Sequence, residues 1–190
     1  MKRWIIFTAK FLLLASLCAG PLLANAAEQK KLAPAEKRAR IDAEAKDALS
    51  KLLAESKEAK ELYDKSYGYA AFITTKVSLG LSGGGGGGEA VVKSTGKKTY
   101  MKMGLGGAGL ALGAHQYQVV FLFQTREVFD NFVEKGFEGG AGASLVAGKE
   151  GSHRATSFRN GIAVYMFTKQ GLVASADITG SRFWKDKQLN

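Results

Sequence analysis

Thiol chemistry is nearly closed to this sequence. Its one cysteine, Cys18, falls in an N-terminal apolar run, MKRWIIFTAKFLLLASLCAGPLLANAAEQKK. That run has the parts of a secretory signal peptide: a basic start at Lys2-Arg3, an apolar stretch from Phe11 to Ala19, and the small residues Ala24-Asn25-Ala26 before a cleavage site. Lys10 and Gly20-Pro21 interrupt it well below the ~20 apolar residues needed to span a bilayer, so residues 1–26 are expected to be a removed leader. Acylation of Cys18 is not expected, because Ala15 and Leu17 stand where a lipoprotein site wants a leucine and a small residue. Cleavage after Ala26 leaves no cysteine, which excludes disulfides, thiol catalysis and thiolate metal sites.

Histidine is almost as scarce, with two in 190 residues. The C-terminal two-thirds offers His115, His153, Glu89, Asp177 and Asp186, widely spaced and without a nucleophile–base pattern. Two lone histidines outside any His/Asp/Glu cluster do not read as a metal site. No enzyme, no metal and no cofactor are expected.

Charge is abundant but uneven. Lys and Arg number 27 against 17 Asp and Glu. Residues 28–65 are nearly neutral, with 10 basic and 9 acidic side chains, whereas residues 66–190 carry 14 basic and 8 acidic. An exported basic domain meets anionic lipid head groups sooner than nucleic acid, so nucleic acid is not expected as a partner.

Residues 34–65 are rich in Ala, Lys and Glu and contain no glycine. Ile41, Ala45, Ala48 and Leu52 line one helical face, Pro34 suits a first turn, and Ser56 is a candidate N-cap for a restart. This predicts a helical arm over 27–66, as one helix or as two with a break near Glu55-Ser56, packed by that stripe on the rest of the chain. From Tyr67 short apolar segments alternate with glycine and read as strands. Val164–Phe167 and Leu172–Ala174 form a predicted hairpin with Gly171 at positive φ. TREVFDNFVEKG is one inserted helix, with Thr125 as N-cap and Gly136 as C-cap. The expected fold is α+β: a mostly antiparallel, glycine-rich, strongly bent β-sheet, barrel- or sandwich-like, over 67–190, with an N-terminal helical arm and one inserted helix.

Thirteen of the 24 glycines lie between residues 80 and 114, six of them consecutive at Gly83–Gly88. A phosphate loop is not supported, since no Gly-Lys-Ser/Thr follows, and Met103 to Ala114 is too short to span a membrane. Glycine within strands remains, allowing bends and close contact. The run is expected to form a hairpin, some glycines making its loop and several holding backbone angles closed to other residues.

The order of these motifs resembles the SYLF domain family. Phe72, Lys76, Gly83, Gly86 and Gly88 match its run of aromatic, lysine and spaced glycines. Ala108 to His115 resembles its Val-Gly-Leu-Gln segment, Gly140 to Gly148 its small-residue strand, and Tyr165, Lys169, Gly171, Leu172, Gly180 and Ser181 its closing motif. The resemblance covers roughly residues 48–190, with departures at Ile73, Ser78, Ala111, His115 and Gly142. It implies phosphoinositide binding in eukaryotic relatives, which are also linked to actin, and lipid or envelope association in bacterial ones.

Lipid contact is therefore expected from basic side chains near apolar strand ends: Lys76, Lys93, Lys97, Lys98, Lys102, Arg154, Arg159, Arg182 and Lys185, with Trp184 as the aromatic anchor. The resulting expectation is a non-catalytic exported module, periplasmic or envelope-associated, that engages anionic phospholipids or the membrane surface. The alternative is a structural factor of the envelope with a protein partner.

Overall fold

The computed structural model describes residues 32–139, 157–168, 171–174 and 180–190. The predicted leader, the Gly140–Gly148 segment, Arg154, His153 and Lys169 lie outside the described residues.

Helix α1 spans Pro34–Glu55 and helix α2 spans Lys57–Asp64. The break falls at Ser56, whose hydroxyl accepts from the Ala59 amide and caps α2. The stripe Ile41, Ala45, Ala48 and Leu52 is buried. Ala45, Ala48 and Leu52 pack with Leu62 of α2 on Ala71, Val120, Leu122, Ala163, Tyr165 and Phe167, and Ile41 lies over Gly87, so the arm is docked by its apolar face as expected.

Two strands then run far longer than the sequence suggests, β1 over Gly68–Val92 and β2 over Lys98–Phe123. Glycine retains its N–H and does not interrupt a ladder, which is why runs that read as short separate strands are continuous. β1 and β2 pair antiparallel along their whole length, with one register shift between Leu79 and Leu81. At about 3.3 Å per residue a 25-residue strand would reach roughly 80 Å if straight, about twice the width of a domain of this size. The ribbon instead doubles back. A Cβ built on Gly68 would meet the carbonyl of Val91, one on Gly88 the carbonyl of Ala71, and one on Gly86 the carbonyl of Ile73. These pairings place the far half of β1 antiparallel against its own near half, with the fold near the register shift.

This corrects two expectations about Gly83–Gly88. They lie wholly inside β1, opposite Met101–Gly106, and the hairpin turn comes later, at residues 93–97. None of them has positive φ; among the described glycines that belongs to Gly96, Gly136, Gly161, Gly171 and Gly180. The requirement at Gly86 and Gly88 is space for a second main chain.

The rest of the sheet grows from β2. Strand β4 (Ile162–Thr168) pairs with its C-terminal half, and β5 (Gly171–Ala174) pairs with β4 through the predicted hairpin, with Gly171 at φ 115°. Strand β6 (Ser181–Lys185) pairs with Met101–Leu105, and β3 (Phe137–Gly139) with β6. The inserted helix α3, Arg126–Lys135, starts on Thr125, which accepts from the Val128 amide, and stops at Gly136 with φ 74°. The architecture is α+β, a bent antiparallel sheet with an N-terminal helical arm and one inserted helix, as expected. Its inner core is aromatic. Phe72, Phe121, Phe123, Phe129, Phe132 and Phe183 pack with ring centroids 4.8–6.2 Å apart, geometry worth about 0.5–1.5 kcal/mol per pair beyond burial.

Candidate membrane-contact surface

The alternation of a strand puts Ser181 and Phe183 of β6 inward and Arg182 and Trp184 outward. Trp184 is 40% exposed, a large aromatic at the surface. It is not loose. A Cβ built on Gly104 would lie 3.0 Å from its Cη2 and 3.2 Å from its Cζ3, so the indole rests on bare main chain. Gly104 faces Gly85 and Gly106 faces Gly83 across the ladder, and neither Gly83 nor Gly106 has an atom within 4 Å of where a Cβ would stand. Beside Trp184 the sheet therefore offers a patch of four glycines without side chains of their own.

Of the cations expected to bind lipid, the structure sorts those tied to other elements of the fold from those held only by exposed carboxylates. Lys93 donates to the Tyr63 and Asp64 carbonyls at 2.6 and 2.9 Å, and its ammonium stands 4.8 Å from the Tyr63 ring centroid. It caps the C-terminus of α2, where a cation opposes the helix dipole. Lys98 lies 3.0 Å from Glu89 and 3.0 Å from Asp42, and Lys102 lies 3.2 Å from the buried Asp186, which Lys37 of α1 also approaches at 3.5 Å. Burial works to raise the Asp186 carboxyl, but the Gln188 amide and Lys102 outweigh it and hold its pKa below the ordinary value. These three lysines fasten the fold.

Arg182 and Lys185 differ. Arg182 pairs with Glu138 at 2.8 Å with both side chains about 70% exposed, and Lys185 pairs with Glu134 at 2.9 Å. Exposed pairs of this kind contribute only about 0–1 kcal/mol, so a phosphate can compete for either cation. Arg182 shares the outer face of β6 with Trp184, whereas the alternation carries Lys185 to the Phe183 face, toward Glu134 of α3. Lys97 is exposed in the β1–β2 turn. Arg159 makes a backbone bridge to Ile162, apart from β6. Lys76 pairs in β1 opposite His115, and its side chain lies outside the described residues, as does Arg154.

Three features escaped sequence reasoning. Gly104 is the seat of Trp184, and only the bulk of a tryptophan opposite a glycine hints at it. Glu89 and Asp186 are buried carboxylates that engage lysines; a single acid between six glycines and the apolar run Ala90–Val92 was the available signal for Glu89. A cleft of about 520 Å³ also opens between α1 and the sheet, lined by Glu44, Asp47, Lys51, Ile73, Gln116, Gln118 and Phe167. The Lys51 ammonium stands over the Phe167 ring at 4.8 Å.

Among the described residues no group of three or more His, Cys, Asp or Glu could hold a metal ion, and no helix is long and apolar enough to cross a membrane. Residues 104–190 match the Ysc84 family, described as Las17-binding protein actin regulator. A curated relative, beta cell expansion factor A of Aeromonas veronii, is 42% identical over 154 residues, which is 81% of this chain and 59% of the relative.

The chain belongs to the Ysc84, or SYLF, family. The matched region begins at Gly104, so it takes in the glycine patch on β2, the core strand Val119–Phe123, helix α3 and the Trp184 strand. The resemblance seen in the sequence is borne out. The chain spans about three-fifths of the length of the curated relative. The family's description is that of a binding protein and regulator.

Proposed function

We propose that this Ysc84-family protein is a non-catalytic lipid-binding module, exported to the envelope, that engages anionic membrane surfaces through Arg182, Trp184 and Lys185. The observation that carries the reading is an exposed tryptophan seated on glycine main chain, flanked along β6 by two cations whose carboxylate partners are themselves exposed. Tryptophan favours the membrane–water boundary, and each surface cation adds on the order of 1 kcal/mol near an anionic bilayer. Two or three acting together give weak, salt-sensitive binding.

Co-sedimentation of the protein with phosphatidylglycerol-containing vesicles, against phosphatidylcholine vesicles, tests it. Binding to the first alone is expected, abolished by raised salt and reduced at least about fivefold in Arg182→Gln/Lys185→Gln. Equal binding to both vesicle types, or an undiminished double variant, refutes it.

A second reading, an envelope protein that binds another protein, draws on the cleft beneath α1. Its Glu44 and Asp47 repel phosphate and suit a basic segment of a partner. A single protein adduct on crosslinking in envelope fractions, with no vesicle binding, favours it.

A further inference from the structure

The N-terminal part of α1 sits on the far half of the hairpin over a set of ionisable groups. Ile41 packs 3.3 Å from where a Cβ on Gly87 would be. One helical residue further, Asp42 faces Lys98, whose ammonium lies 3.0 Å from Asp42 Oδ1 and 3.0 Å from Glu89 Oε2. The Tyr100 hydroxyl donates to the same Asp42 oxygen at 3.0 Å. Glu89 is 1% exposed, and its Oε2 has no hydrogen bond of good geometry despite the nearby ammonium. Two carboxylates thus share one lysine, and one of them has no access to water.

We propose that Glu89, Asp42 and Lys98 form a proton-operated latch that holds α1 on the sheet while Glu89 is protonated and loosens it when Glu89 ionises. With Glu89 neutral, its proton can bridge to the Asp42 carboxylate, Lys98 balances that carboxylate, and the set carries no net charge. Ionised Glu89 adds a second negative charge, itself sealed from water, beside a single lysine. Glu89, Lys98 and Tyr100 belong to the β1–β2 ladder, whereas Asp42 stands on the helix. Separation therefore occurs at the helix, hydrating Glu89 and parting the carboxylates.

The electrostatics agree in sign. Burial, then the hydrogen bond with Asp42, push the Glu89 carboxyl up to about 7 against the pull of Lys98. At Asp42 burial is outweighed by hydrogen bonds with Glu89, Lys98 and Tyr100, and its pKa falls below the ordinary value. Tyr69 of the near half, raised to about 12 by burial and by Glu89, and Tyr100, also raised, stay neutral across this range. A carboxyl whose folded pKa lies above its ordinary 4.5 favours the docked state fully below that value. The advantage is lost as pH rises through about 7, and it stays lost above.

Hydrogen exchange of the full chain tests the latch, with α3 amides as an internal reference and rates corrected for intrinsic exchange. Between about pH 5.5 and pH 8.5, protection of α1 amides at positions 38–48 should fall about tenfold or more while α3 holds steady. Glu89→Gln, neutral at every pH, should remove that fall. A ¹³C titration of the Glu89 carboxyl in the unmodified chain should show a midpoint near 7. Parallel loss of protection in α1 and α3, an unchanged α1, a Glu89→Gln variant that follows the wild type, or an ordinary carboxylate midpoint each overturns it.

Discussion

Adding one methyl group to the six-glycine run should have opposite effects at positions three residues apart. At Gly86 the methyl of alanine would run into the Ile73 carbonyl, with Thr74 Cα close behind. Both obstacles are main chain, so no side chain can rotate away. Relief requires the two halves of the β1–β2 ribbon to move apart, and each half is tied by a full ladder on β2. Overpacking of this kind costs about 1–3 kcal/mol, and the rigidity of both walls puts Gly86→Ala at the upper end. For a domain of this length that lowers Tm by roughly 5–10 °C. At Gly83 no atom lies within 4 Å of the new methyl, and the strand loses a glycine, worth about 0.5–1 kcal/mol in favour of alanine. Gly83→Ala should hold Tm or raise it by about 1–3 °C. Thermal melts by far-ultraviolet circular dichroism, with urea titrations as a second measure, read both. Equal shifts, or a Gly86→Ala protein as stable as Gly83→Ala, would refute the doubled-back ribbon, because a linker or an open loop treats the two positions alike.

Lys93→Met should destabilise the protein by about 1–2 kcal/mol in urea titrations, because it uncaps the carbonyls of Tyr63 and Asp64 at the end of α2. Asp186→Asn keeps an acceptor for the Gln188 amide but removes the charge shared by Lys37 and Lys102. It should cost about 1–3 kcal/mol near neutral pH. Since the Asp186 pKa is lowered, its stabilisation is present above about 4 and lost as pH falls further. The wild type should therefore lose its advantage over Asp186→Asn on acidification below that point, and a constant gap between the two would count against the pairing. Gly136→Ala places a methyl at positive φ against the Phe183 carbonyl and should lower Tm by more than about 5 °C.

What could be read in advance was local. Thr125 and Gly136 bracket α3, Ser56 restarts the arm, and Gly171 turns β4 into β5, each because its signal lies within a few residues of its effect. The stripe Ile41, Ala45, Ala48 and Leu52 was legible for the same reason. The long-range features were not. Nothing near Gly86 announces that Ile73 will lie against it, since that contact depends on where the ribbon folds over. The lysines looked alike in sequence, yet Lys98 meets the buried Glu89 and Lys102 the buried Asp186, 84 residues on, whereas Lys185 meets an exposed carboxylate. Counting cations therefore overstates the charge free to meet a membrane. The residues 182–185 cluster stood out only because tryptophan is too large to be hidden between two charges without some cause.

The arm and the tryptophan occupy one face of the same half of the hairpin. Gly87, Lys102 and Trp184 are successive cross-strand neighbours on β1, β2 and β6. At about 4.8 Å per strand, Ile41 on Gly87 sits roughly 10 Å from the indole column. Lys102 stands between them, tied to Asp186, which also receives Lys37 from α1. A helix that lifts as Glu89 ionises would uncover Gly87 and extend the patch of Gly83, Gly85, Gly104 and Gly106 toward the arm. It would also free an apolar stripe beginning at Ile41 beside an exposed tryptophan. Both surfaces suit an interface between water and lipid, and neither is available while the arm is down. Arg182 and Lys185 take no part in the latch, and Glu89 is buried away from the lipid-facing cations. Charge recognition and helix release would thus rest on separate residues of one sheet, so that each can be altered without the other.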